Sequence, residues 1–188
     1  MVHGYVTKKS LNSVRKKVEK GDMVAQYYLG VSYLDGQGVE KDVNEGLKWL
    51  KMSADQNYEI ALVSLGRFYM YGVDVDRDVD KATKCFRKAA ENGNSEAQLY
   101  LGQILLYDKD VEQNEAEGIF WLKKSAEDGC PVANINMCEL CHNGKTDWSL
   151  DQFKASMEQT KLKSYPCEEC ENFIETGERL KCFFGKAK

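Results

Sequence analysis

A chain of 188 residues, 43% apolar and 30% charged with a net charge of −4, suits one domain or a short repeat array of an ordinary globular protein. No stretch reaches the ~18 successive apolar residues that a helix needs to cross a bilayer, which excludes membrane insertion by that route. An acidic balance, with lysines interleaved among acids at helical spacing, argues against nucleic acid, whose phosphates select a basic face.

The opening segment, MVHGYVTKKSLNSVRKKVEKGD, carries no acid before Glu19 and could be misread as a mitochondrial presequence. It has no apolar core and so is no secretory signal, and the register below gives it a structural place. Seven cysteines without such a signal point to a reducing, cytoplasmic setting with free thiols, or to a metal site, rather than to a disulfide framework.

From residue 22 onward the chain repeats. Ala25, Ala61, Ala97 and Ala133 stand 36 residues apart. The residues that follow keep the register: Leu29-Gly30, Leu65-Gly66, Leu101-Gly102, then Met137-Cys138. Tyr33, Tyr69, Leu105 and Cys141 come next. The offset also relates Trp49, Cys85 and Trp121, then Leu50, Phe86 and Leu122, then Ala54, Ala90 and Ala126. Each period reads as two helices. Ala25, Leu29, Gly30 and Tyr33 share one helical face. Asp35-Gly36-Gln37-Gly38 and its counterparts at Tyr71-Gly72 and Tyr107-Asp108-Lys109 form the loop, and Asp42, Asp78 and Asn114 cap the second helix. That helix closes near Asn57, Gly93 and Gly129, residues that tolerate the left-handed backbone. A glycine inside a helix costs about 1 kcal/mol against alanine. Its return at 30, 66 and 102 therefore predicts close approach of the paired helix.

The ends follow the same register. Val14, Val18 and Gly21 precede Leu50, Ala54 and Asn57 by one period, so residues 1–21 read as a capping half repeat and 22–146 as the repeats. Residues 147–188 read as a capping helix over 147–163 and a divergent tail from Pro166.

The pattern A-x-x-x-L-G-x-x-Y-x-x-G, a variable loop, then D-x-x-x-A/G-x-x-W-hydrophobic-x-x-A-A-x-x-G resembles the Sel-1-like repeat, a relative of the tetratricopeptide repeat, over about residues 10–145. The resemblance implies an all-α fold, a right-handed α-solenoid of helix-loop-helix repeats. It also implies a non-catalytic adaptor or scaffold that binds a partner protein or peptide on a concave face lined by the first helices. Carried onto this chain, the partner-binding positions are Tyr27, Val31 and Leu34, then Val63, Arg67, Met70 and Tyr71, then Leu99, Gln103, Leu106 and Tyr107. Exposed apolar and aromatic side chains with an arginine suit binding anchors. Packing between repeats is the alternative reading of the same residues.

Cys138-x-x-Cys141 and Cys167-x-x-Cys170 could supply four thiolates to zinc, in a zinc-stapled interaction module. Core positions of a helix equally suit small packing thiols, and in that reading no cofactor is needed. Other motifs fail. Asp74, Asp76, Asp78 and Asp80 lack the glycine and distal glutamate of a calcium loop, where Val79 and Cys85 stand. Ser13-Val14-Arg15-Lys16 satisfies S-x-x-K, but the companion K-T-G is only Lys145-Thr146-Asp147 and no S-D-N exists, so a β-lactamase-like hydrolase is excluded. His3 and His142 lie at opposite ends of the chain, and the sequence predicts no enzyme.

Overall fold

A computed structural model describes residues 8–146 and Ala155. Among them are eight helices and no strand: α1 Lys8–Val18, α2 Met23–Asp35, α3 Val43–Asp55, α4 Glu59–Tyr71, α5 Val79–Glu91, α6 Ser95–Tyr107, α7 Glu115–Glu127 and α8 Pro131–His142. The six helices α2 to α7 each have 13 residues and begin 36 residues after their counterparts, so the sequence register is a structural one. The helices divide between two compact units, Met1–Asn92 and Gly93–Lys188.

The second helices start where the side chains permit. Asp42, Asp78 and Asn114 accept from the backbone N–H of Glu45, Lys81 and Glu117, which satisfies a donor that the first turn leaves over. The first helices are capped too, by Asp22 on Ala25 and by Asn94 on Ala97. Tyr58 and Cys130 hold the same place without a side-chain cap, and at α8 Pro131 occupies the first turn, where its missing N–H costs nothing. Asn57, Gly93 and Gly129 all have positive φ and close the second helices. A further bond repeats at the loops: the backbone N–H of Asp42, Asp78 and Asn114 donates to the carbonyl of Tyr33, Tyr69 and Leu105 at 2.9, 2.9 and 3.0 Å.

Within each pair the helices touch at the glycines. A Cβ on Gly30 would stand 2.9 Å from the Gly46 carbonyl oxygen, and one on Gly102 would stand 2.9 Å from that of Gly118. At Gly66 the obstacle is instead the ring of Phe86, 2.7 Å away and fully buried. Leu50, Phe86 and Leu122 fill this seam, with Ala54, Ala90 and Ala126 a turn further on. Ser53 and Ser125 add a buried hydroxyl that donates to the carbonyls of Met23 and Ser95, each at 2.7 Å. In the first unit Val14 and Val18 of α1 pack on Ala25 and Leu29 of α2. In the second, Leu99 and Leu122 pack with Ala133, Met137 and Leu140 of α8.

Candidate functional site

The first helices are apolar almost all round, so the outward face is set by what their neighbours cover. In the first unit α2 leaves a ridge of Val24, Tyr28, Val31 and Asp35, and α4 one of Ile60, Ser64, Arg67 and Tyr71. In the second unit α6 leaves Glu96, Tyr100, Gln103 and Tyr107, and α8 leaves Val132, Asn136 and Glu139. These residues are at spacings of four, three and four, one stripe of a helix.

The candidate positions divide accordingly. Arg67, Tyr71 and Tyr107 are exposed, Tyr71 by 56% and Tyr107 by 50%, whereas Val31, Met70 and Gln103 are half-buried. Val63 and Leu99 are only 6% and 7% exposed, which corrects their placement on an open face. Leu99 is spent inside the α6–α8 core, and Tyr27, at the same register position, turns its ring edge-on to Tyr58 at 5.6 Å. Leu34 and Leu106 lean the other way, onto Gly46 and Gly118 of the paired helix. Each leucine fills the space of a side chain that those glycines lack. The missed residues are Val24, Tyr28, Ile60, Val132 and Ile135, which stay exposed while their helical neighbours are buried. The glycines at 46 and 118 were the available signal, since they show where a leucine twelve residues earlier must go.

Two tyrosine hydroxyls, of Tyr58 before α4 and Tyr107 at the end of α6, are held protonated above their ordinary range. Burial is the main cause at Tyr58, with Tyr28 and Tyr27 adding to it. Burial again leads at Tyr107, followed by the carboxylate of Glu139, while Lys145 acts in the opposite sense. Lys145 itself is paired with Glu115 at 2.6 Å. In the first unit an open depression of about 640 Å³ lies against Arg15, Tyr33 and the loop from Gly38 to Asp42; its charges are mixed in sign.

The cysteines do not form one set. Cys85, Cys130 and Cys141 are reduced and half-buried. Burial pushes the Cys85 thiol up to about 11, against the pull of Lys88, so it is no nucleophile at neutral pH. Cys138 is buried at the register position of Gly30, Gly66 and Gly102 and is disulfide-bonded, which departs from the expectation of free thiols throughout. A disulfide sulfur is not the thiolate that zinc takes. Cys167 and Cys170, the other half of the candidate zinc set, lie outside the described residues, as do the expected helix over 147–163, apart from Ala155, and the tail. Among the described residues no three metal-ligating side chains converge. No helix among them is long and apolar enough to cross a membrane.

Comparison with known proteins bears on the repeat and its fold. The family profile described as Sel1 repeat matches residues 24–58, 60–94 and 95–130. A sel1-like repeat-containing protein of Acanthamoeba polyphaga mimivirus is 37% identical over 51 residues, which are 27% of this chain and 9% of that protein. The chain is similar to a Sel1 repeat protein from Oxalobacter formigenes, with a TM-score of 0.73 and 22% identity over 84% of this chain and 65% of that one. A protective antigen of uropathogenic Escherichia coli strains, displaying the SLR fold, gives 0.74 and 26% over 93% of this chain and 38% of the antigen. The chain thus spans less than two thirds of each of these relatives.

Proposed function

The chain belongs to the Sel1 repeat family, whose members generally mediate protein–protein interaction, and from that premise we propose that it is a non-catalytic adaptor whose first-helix ridges form the partner-binding, concave face. The observation that carries this reading is the exposure of large apolar and aromatic side chains in repeating positions. Val24, Tyr28, Ile60 and Tyr71 in the first unit, and Tyr107, Val132 and Ile135 in the second, stay open to solvent although each helix buries its other faces. Side chains of this kind gain most from being covered by a partner.

A photo-crosslinking amino acid placed in turn at positions 28, 71 and 107, and at the second-helix positions 51 and 88, tests the proposal in cells. Partner adducts should form from the first three positions and not from the last two. Adducts mainly from 51 and 88 would move the binding surface to the second helices.

A further inference from the structure

The two kinds of helix divide charge unequally. Lys48, Lys51, Lys84, Lys88, Lys123 and Lys124 all belong to second helices, whereas α6 and α8 contain no lysine or arginine. The carboxylates of α6 and α8, Glu96 and Glu139, are both exposed. Leu106, beside Tyr107, packs against the cluster that holds Met137, Cys138 and Leu140, which sets the end of α6 beside α8, and the Glu139 carboxylate acts on the Tyr107 hydroxyl there. The neighbouring cation, Lys145, is committed to Glu115 at 2.6 Å. Val132 and Ile135 share the stripe of Glu139 and are 46% and 49% exposed. An exposed carboxylate beside exposed apolar side chains is complementary to a segment of opposite charge and like polarity.

We propose that the α6–α8 surface of the second unit takes a cationic segment of a partner protein, with a lysine or arginine meeting Glu139 and apolar side chains resting on Tyr107, Val132 and Ile135. The inference rests on the ridge being a protein-binding face and names the chemistry that it selects. A neutral or acidic segment would leave Glu139 facing no counter-charge or a like one, which disfavours it.

The test uses the full chain and two labelled synthetic peptides of equal length and identical leucine positions, one with lysine and one with glutamate at the remaining sites. Binding is read by fluorescence anisotropy. A net charge of −4 attracts any cation at long range, so the deciding comparison is Glu139→Gln against Glu127→Gln, a second-helix carboxylate whose loss changes the net charge equally. The lysine peptide should bind the more tightly, and Glu139→Gln should weaken it by about two- to fivefold, the range of a solvent-facing ion pair, with little effect from Glu127→Gln. Equal affinity for the two peptides, equal effects of the two variants, or no binding of either peptide overturns the inference. If Tyr107→Ala weakens both peptides alike and Glu139→Gln neither, the cationic preference fails and the binding face survives; the crosslinks from 28, 71 and 107 test that face independently. Self-association of the chain that Glu139→Gln abolishes would also overturn it, by making a second copy the occupant.

Discussion

At one ridge position the first unit carries Val31 and Arg67 and the second carries Gln103 and Glu139, so the same place on the repeat has changed from apolar and cationic to polar and anionic. Beneath it, the seam has barely changed: Gly30 against Gly46 and Leu50 in the first unit, Gly102 against Gly118 and Leu122 in the second. Seam residues are fixed by distances below 3 Å, where any added atom displaces a neighbour. Ridge residues stand at the surface, where a change of side chain leaves the packing of the helices intact. The repeat that departs from this seam is the second, where Gly66 faces Phe86 and Ala82 stands in place of a glycine.

Phe86→Ala gives the largest expected effect, a loss of about 3–5 kcal/mol from a fully buried aromatic. Because repeats contact mainly their neighbours, the loss should appear in hydrogen exchange as weakened protection of α4 and α5. Equal deprotection of α7 and α8 would show that the two units fold as one block and would break the comparison. Gly66→Leu should cost roughly 1–3 kcal/mol by overpacking, measured as a lowered denaturation midpoint; a midpoint equal to wild type would remove Gly66 from the seam. The alanine variants sharpen the point, since Gly66→Ala presses on side-chain atoms of Phe86 and Gly102→Ala presses on Leu122 and also on the Gly118 carbonyl oxygen, a backbone atom that has no rotamer to change. The second should be the more damaging.

Most of the seam was legible in the sequence because its restraints are local and repeat. The glycines, the caps at Asp42, Asp78 and Asn114, and the left-handed closures at Asn57, Gly93 and Gly129 each need a particular residue type at a fixed offset. The outward face was legible only in part. On a helix apolar all round, a rotation of one residue separates ridge from stacking face, and the sequence does not mark it. Hence Val63 and Leu99 pass for surface residues, although they are buried, and Tyr28 and Ile60 go unnoticed. The caps at Asp22 and Asn94 are visible as residue types, but their counterparts Tyr58 and Cys130 break the repeat of that type, so the register does not mark them.

Smaller effects separate the units further. Ser53→Ala and Ser125→Ala should each cost about 0.5–1.5 kcal/mol for a lost buried hydrogen bond. The middle repeat has Ala89 at this position and shows that the fold tolerates its absence. The smallest effect is one of pH. The Lys81 side chain and its backbone N–H hold the Asp78 carboxyl below its usual range, so the cap is fully effective above the ordinary aspartate value and fades as pH falls through the lower folded one. Acid titration of thermal stability should therefore show a dependence that Asp78→Asn flattens. Asn114, the second unit's counterpart, has no proton to gain, and Asn114→Asp should introduce the dependence there.

The bonds from Asp42 to Tyr33 and from Asp78 to Tyr69 also bear on how such a chain can change its length. Each marks the same point in successive periods, 36 residues apart. Removing residues 43–78 would join Asp42 directly to Val79, placing α5 where α3 had been. Asp42 would keep its bond to Tyr33, and Gly30 would meet Phe86 as Gly66 does now. Leu34 would gain one methyl group as an obstacle, that of Ala82 in place of Gly46, and the ion pair between Lys41 and Asp74 would go. A cut after Asp42 that is not a whole number of periods would join that cap to the wrong point of a later repeat. Gains and losses of whole periods are thus the changes of length that keep every cap and seam contact in register.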